Sequence, residues 1–103
     1  MENPTFLIVE ATPNLENQNE LQGYTSQGPA IAKKHGGVLV ANYTVESAIN
    51  SEEKPAAIAV YSFPNREAIQ DLLINDPDYQ QLIPLREKAF KRIRFLICNE
   101  QIQ

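Results

Sequence analysis

The segment Ala-Ala-Ile-Ala-Val-Tyr-Ser-Phe, residues 56–63 of the 103-residue chain, decides the fold. Its β-branched and aromatic residues are typical of a strand, and Pro64-Asn65 ends that strand with a turn. Side chains alternate between the two faces of a strand, so one face takes Ala57, Ala59, Tyr61 and Phe63 and the other takes Ile58 and Val60. Because both sets are apolar, both faces of the sheet should be covered.

Three further runs of the same kind, at residues 5–11, 38–44 and 92–99, predict the other strands. They complete a set of four. Between the first two, residues 14–35 predict a helix that kinks or restarts at Pro29, because proline removes a hydrogen-bond donor. That helix should end at Gly36, a residue that can take the left-handed cap conformation.

The second helical region follows the central strand. Asn65 is a suitable N-cap for a helix over residues 66–74, and Asp76-Pro77 starts another helical turn. Pro84 should interrupt that last helix.

The resulting order is β-α-β-β-α-β, which predicts an α+β fold: a ferredoxin-like sandwich with a four-stranded antiparallel sheet and helices on one face. Residues 1–103 should form a single domain of this kind, since single domains usually hold about 50–250 residues.

The uncovered face of this sheet predicts a partner. Four strands at ~4.8 Å spacing and ~17–20 Å length make a face of roughly 300–400 Å². That area is at or above what soluble monomers usually expose. A second copy of the chain is the most economical cover, so we expect a homodimer with its sheets face to face.

Composition excludes several classes of function. Nine basic against thirteen acidic residues give a net charge of −4, which is unfavourable for nucleic-acid binding. One His and one Cys exclude an internal disulfide and a metal site built from several such ligands. The chain shows no secretory signal and no apolar run near the ~20 residues that span a bilayer. We therefore predict a cytoplasmic protein that binds no metal, no membrane and no nucleic acid.

Several short motifs resemble the domain-of-unknown-function family 1330, a group within the dimeric alpha–beta barrel superfamily. The motifs are His35-Gly36-Gly37 before a strand, Ser62-Phe63-Pro64 at a strand end, and Asn75-Asp76-Pro77-Asp78-Tyr79-Gln80 followed by Leu85-Arg86 and Ala89. The resemblance covers roughly residues 24–100. It implies a ferredoxin-like fold, paired as a dimeric α/β barrel, and no settled activity. This chain has Val38 and Ser62 where members often carry Arg and Glu.

Arg86 is the strongest candidate for ligand binding, because a guanidinium presents a planar fork of donors suited to a carboxylate or phosphate. Tyr79 lies seven positions earlier, and it would share one side of the helix with Arg86 and help to shape the pocket only if the helix continued through Pro84. The alternative is structural: Arg86 pairs with Asp78 or Glu87, and the Tyr79 ring packs on the sheet.

Three functions fit these observations. The first is a homodimeric module that binds a small, anionic organic molecule through Arg86 and Tyr79. The second is an enzyme without a bound cofactor, of monooxygenase or isomerase type, for which His35, Tyr24 and Tyr61 are the candidate catalytic residues. His35 is included because its unperturbed pKa lies near neutrality. The third is a structural or regulatory partner without a pocket.

Overall fold

The computed structural model describes residues 3–101 and contains four strands and three α-helices. In chain order these are β1 (Thr5–Pro13), α1 (Gln18–Lys34), β2 (Val38–Thr44), β3 (Ala57–Phe63), α2 (Arg66–Gln70), α3 (Pro77–Ala89) and β4 (Phe90–Asn99). A short 3₁₀ turn, Leu15–Asn17, leads into α1, and a π-helical segment, Asp71–Asn75, continues α2. No helix within residues 3–101 is long and apolar enough to cross a bilayer.

The four strands form one antiparallel sheet in the order β2-β3-β1-β4. Leu7 in the centre of β1 lies opposite Tyr61 of β3 and Ile97 of β4. The predicted α+β, ferredoxin-like arrangement is therefore confirmed: two βαβ units interleave in one sheet, with β1 and β3 in the middle.

One face of the sheet carries the core. Its largest fully buried side chains are Phe63 of β3 and Ile69 of α2, and Leu7 of β1 is 3% exposed. Each of the three helices and the π-helical segment contributes buried residues to this same cluster: Ala32, Ile69, Leu72, Tyr79 and Leu82. The helices therefore cover the face that carries Leu7, Tyr61 and Phe63, as the alternation of residues 57–63 predicts.

The opposite face is the one that Ile8 and Val60 share, since these two residues are paired across β1 and β3. We call it the open face. The side chains on the open face are Phe6 and Ile8 of β1, Ile58 and Val60 of β3, Leu96 and Cys98 of β4, and Val38 and Tyr43 of β2. Val38 and Tyr43 are each 59% exposed, so apolar surface extends to the edge of the sheet.

Two prolines differ from the sequence prediction, because neither interrupts its helix. Pro29 lies inside the single helix α1, and Pro84 lies inside α3. Both side chains are exposed. A proline in a helix leaves the carbonyl four residues earlier without its partner, and at an exposed position water satisfies that carbonyl.

Other boundaries shift by a few residues. Strand β1 continues past Ala11 to Pro13, because Pro13 pairs with Phe90 across a register irregularity. Strand β4 correspondingly begins at Phe90. The predicted helix at 66–74 is α-helical only to Gln70, although its N-cap is confirmed: the Asn65 side chain accepts from the Ala68 amide at 2.9 Å.

The pair Gly36-Gly37 turns the chain from α1 into β2. Gly36 has a φ of 84°, the left-handed conformation predicted for this cap. A Cβ on Gly37 would lie 2.6 Å from the Phe63 ring, so this position is glycine because the helix end packs directly on the core.

Candidate functional site

A cluster of three polar side chains lies where α1 packs against α3. Tyr24 comes from the first half of α1, and Tyr79 and Arg86 come from α3. Seven residues are about two helical turns, so Tyr79 and Arg86 lie on one side of α3. This alignment depends on the uninterrupted helix through Pro84. We call these three residues the tyrosine cluster.

Hydrogen bonds connect the cluster in a chain. The Tyr24 and Tyr79 hydroxyl oxygens are 2.7 Å apart, and Arg86 Nη1 donates to the Tyr79 hydroxyl at 2.9 Å. A guanidinium has no acceptor, so the Tyr79 oxygen must accept this second bond. The Tyr79 side chain is almost fully buried, whereas Tyr24 and Arg86 are partly exposed.

Aromatic rings surround the guanidinium and the Tyr24 ring. The Arg86 guanidinium carbon lies 5.7 Å from the centre of the Tyr79 ring and 5.3 Å from that of Phe95, both within cation–π range. The Tyr24 ring meets Phe90 edge to face at 5.4 Å. These contacts hold the charged group in a mostly apolar setting.

The surroundings keep Tyr24 and Tyr61 protonated. Burial raises the pKa of the Tyr24 hydroxyl well above its usual range, and Tyr79 raises it further, while the Arg86 charge acts in the opposite direction. Burial also raises the pKa of Tyr61, which lies on the helical face of β3 and adds to the effect on Tyr24. At neutral pH these phenols are therefore hydrogen-bond donors, not bases.

A second polar cluster joins the end of α1 to the start of α3. Asp76 is the N-cap of α3, and its Oδ1 accepts from the backbone amides of Asp78 and Tyr79 at 2.8 and 3.2 Å. Its Oδ2 lies 2.6 Å from His35 Nε2 and 2.9 Å from Lys34 Nζ. We call Lys34, His35 and Asp76 the aspartate cluster.

Ion pairing dominates the electrostatics of the aspartate cluster. The bonds from Lys34 and His35 hold the pKa of Asp76 well below its usual range, and the two backbone amides act in the same direction. Asp76 in turn raises the pKa of Lys34. The Asp76 side chain is only 3% exposed, and the lowered pKa keeps this buried carboxylate ionised at neutral pH.

The candidate residues separate into two groups. Arg86, Tyr79 and Tyr24 come together, and Tyr61 lies on the same side of the sheet. His35 does not join them within residues 3–101, because its hydrogen bond goes to Asp76. The alternative pairing of Arg86 is not found among the described residues either: Asp78 lies 3.3 Å from Lys34 Nζ instead.

Sequence reasoning missed two features of these clusters. Phe90 and Phe95 form aromatic walls; alternation within residues 92–99 indicated Phe95 only as an apolar position, and Phe90 lies before the predicted strand. Asp76 was assigned as an N-cap, and its role as the partner of His35 depends on a contact 41 residues away.

Two surface grooves are found elsewhere. One of about 690 Å³ runs between α1 and α3, with Ile31, Leu82 and Leu85 among its lining residues. The other, about 380 Å³, lies at one end of the open face, beside Glu10 and Arg94. Neither is lined by the tyrosine cluster, so a ligand would reach that cluster through the exposed parts of Tyr24 and Arg86. Within residues 3–101, no group of three His, Cys, Asp or Glu side chains is placed to hold a metal ion.

The chain belongs to the family described as "Domain of unknown function (DUF1330)", whose pattern it matches over residues 4–99. The family resemblance of the sequence motifs is thereby confirmed. No curated protein matches the sequence.

Solved structures show the same fold at low sequence identity. A protein of unknown function from Rhodopseudomonas palustris superposes with a TM-score of 0.81 at 14% identity, over 100% of this chain and 86% of that one. SnoaB, a cofactor-independent oxygenase from Streptomyces nogalater, gives 0.68 at 8% identity, over 99% and 97%. A dimeric ferredoxin-like protein of unknown function from Jannaschia gives 0.66 at 11% identity, over 95% and 100%. At these identities the likeness establishes the fold alone.

Proposed function

We propose that this DUF1330 protein is a homodimeric module that binds a small organic anion at the tyrosine cluster, where α1 packs against α3, with Arg86 and Tyr79 as the binding residues. The observation that supports the proposal is the environment of the Arg86 guanidinium. Its guanidinium is partly buried between two aromatic rings, and no carboxylate within residues 3–101 forms an ion pair with it.

An uncompensated guanidinium in such a place attracts an anion. Removing a charge from water is costly unless a partner replaces the lost solvation, and a carboxylate on the ligand would supply that partner. The other four basic residues between positions 86 and 94 lie at exposed positions. Arg92 and Arg94 among them already pair with Glu53 and Glu10. Arg86 is thus set apart by its environment and not by its place in a basic run.

The open face supports the homodimer. Phe6, Ile8, Val60 and Leu96 are apolar, partly exposed and contiguous across the three strands β3, β1 and β4. The ferredoxin-like relative from Jannaschia is described as dimeric. Two such faces packed together would close the sheets into the α/β barrel that the family resemblance implies.

Ligand binding is tested with benzoate and its neutral isostere benzamide, titrated by NMR into wild type, Arg86→Gln and Arg92→Gln. Arg92→Gln is the matched control, because that side chain is 72% exposed and, among residues 3–101, pairs only with exposed Glu53. We expect wild type to bind benzoate more tightly than benzamide, and Arg86→Gln to weaken benzoate binding about ten-fold or more. Equal binding by Arg86→Gln and wild type would refute the assignment.

The dimer is tested by sedimentation velocity at micromolar concentration, with circular dichroism to check folding. Val60→Glu places a charge in the centre of the open face and should give a folded monomer. Leu15→Glu is the control, because Leu15 is 67% exposed and lies before α1, away from the sheet. A monomeric wild type would contradict the homodimer.

The second candidate function is a cofactor-independent enzyme of monooxygenase or isomerase type, favoured by the fold shared with SnoaB and by the Tyr24–Tyr79 contact. Tyr24 and Tyr61 would be its catalytic residues. His35 is held by Asp76, so the cluster would have to work without an imidazole base. Oxygen uptake or proton exchange with a panel of phenols and enolisable ketones, lost in Tyr24→Phe, would distinguish it from a binding module.

A further inference from the structure

We infer that the paired hydroxyls of Tyr24 and Tyr79 act as a built hydrogen-bond donor, so that together with Arg86 they select ligands whose binding end carries only acceptor oxygens: carboxylates and enolates. This inference rests on the proposed function and deepens it. It makes the hydroxyl pair, and not Arg86 alone, the feature that determines specificity.

The two hydroxyls carry one proton more than the hydrogen bond between them uses. Two phenols carry two protons, and the 2.7 Å contact between them uses one, whichever oxygen donates. The hydrogen bond from Arg86 to Tyr79 is made with a guanidinium proton, so it uses no phenol proton. One hydroxyl proton of the pair is therefore left, and no described residue accepts it.

The same count applies to Arg86. A guanidinium carries five N–H protons, and within residues 3–101 the one hydrogen bond found for Arg86 goes from Nη1 to Tyr79. The remaining protons have no protein acceptor there. Free donors from Arg86 and from the tyrosine pair thus belong to one hydrogen-bonded chain, so a single ligand would be able to accept from both.

The surroundings fix this donor character. Desolvation of Tyr24 and its contact with Tyr79 raise the pKa of Tyr24 and disfavour its phenolate, so this hydroxyl keeps its proton near neutral pH. Tyr61 adds a further phenol on the sheet side, and it makes no hydrogen bond to any described residue. A ligand with one oxygen on the guanidinium and the next on a hydroxyl would satisfy both sets of donors.

The ligand class follows from the chemistry of these groups. A carboxylate or an enolate offers negatively charged acceptors and brings no proton that lacks a partner. An amidinium of the same shape brings a positive charge and only donors, so the Arg86 charge would repel it and the free donors of the site would find no acceptor on it. A flat ring next to the charged end suits the aromatic walls at Phe90 and Phe95.

The experiment compares wild type, Tyr24→Phe, Tyr79→Phe and the double variant, with benzoate as the probe and benzamidine as its cationic isostere, titrated by NMR. Each single variant keeps one phenol and therefore one free proton, so benzoate binding should weaken about three-fold or less. The double variant has none, so binding should weaken about ten-fold or more, which exceeds the product of the two single effects. Phenylalanine keeps the ring volume, and melting curves check that each variant folds.

The possible results distinguish a failure of the hydroxyl donor pair from a failure of the anion site at Arg86. If Arg86→Gln abolishes benzoate binding while the double variant binds as wild type does, the anion site stands and the donor pair is refuted. If wild type binds benzamidine as tightly as benzoate, the selection for acceptor oxygens is refuted without any variant. If wild type binds none of benzoate, phenylacetate and salicylate, both proposals fail.

Discussion

The tyrosine cluster and the aspartate cluster both tie α1 to α3, yet they differ in how much of their hydrogen-bonding capacity the protein uses. Asp76 offers four acceptor positions and receives four donors: two backbone amides, Lys34 and His35. The tyrosine cluster offers more donors than residues 3–101 accept.

This difference separates a structural cluster from a binding one. A buried group whose partners are all supplied from within the protein stabilises the fold and has nothing left for a ligand. A cluster with unused donors in a partly exposed place has the capacity that recognition requires. Asp76 belongs to the first kind and engages the Nε2 of the chain's one histidine, and Arg86 belongs to the second despite being one of nine basic residues.

The largest effect should come from removing the saturated carboxylate. Asp76→Ala deletes the cap of α3 and leaves His35 and Lys34 facing a cavity, so we expect the melting temperature to fall by about 10 °C or more. Asp78→Ala is the control, since that side chain is 66% exposed and forms an exposed ion pair with Lys34 at 3.3 Å. Comparable losses in the two variants would show that the aspartate cluster is not the structural one.

The loss of stability in acid should reflect the protonation of Asp76. Its pKa is lowered in the folded protein, so its contribution is present above the unfolded pKa of about 4 and is lost as the pH falls below that value. We expect the gap in unfolding free energy between wild type and Asp76→Asn to be constant between about pH 5 and 7 and to shrink below about pH 4. Urea titrations across that range measure it, and a gap independent of pH would contradict the assignment.

A smaller effect is expected at the tyrosine cluster. Tyr24→Phe removes one hydroxyl contact and leaves the Arg86–Tyr79 bond, so the free energy of unfolding should fall by about 1 kcal/mol at neutral pH. Because the pKa of Tyr24 is raised by folding, wild type should lose stability as the pH rises above about 10, and the variant should lose less. Tyr43→Phe, at a 59% exposed position, serves as control. A variant that loses stability as steeply as wild type would exclude Tyr24 as the source.

The smallest effect should come from Lys34. Its side chain is 52% exposed, so Lys34→Gln should change the melting temperature by about 2 °C or less, and added salt should reduce the change further. A loss near that of Asp76→Ala would mean that the lysine, and not the capped helix end, accounts for the stability of the aspartate cluster.

Local patterns were sufficient where structure depends on neighbours in the chain. Alternation along residues 57–63 predicted the two faces of β3, and the Asn65 and Asp76 caps and the left-handed Gly36 were confirmed. Prolines were misjudged, because their cost in a helix depends on whether the freed carbonyl reaches water, and the exposure of Pro29 and Pro84 is a property of the packed molecule.

Local sequence patterns do not predict which side chains from distant parts of the chain form hydrogen bonds with one another. Arg86 and Tyr79 were matched by helical spacing alone, so that pair was accessible from the sequence once the helix was continuous. Tyr24 lies 55 residues from Tyr79, and His35 lies 41 residues from Asp76. Nothing in local spacing relates such distant residues, because the packing of α1 on α3 sets which side chains meet.

The sequence by itself determined the order of strands and helices, the two-sided apolar character of the sheet and the scarcity of catalytic residue types. These follow from alternation, capping and composition, which act over a few residues. Only the tertiary structure decided that His35 Nε2 is bonded to a buried carboxylate and that Tyr24 completes a donor cluster with Tyr79 and Arg86. The reason is physical: hydrogen-bonding capacity is filled by groups brought together in space, and unused capacity becomes visible only when every neighbour is in place.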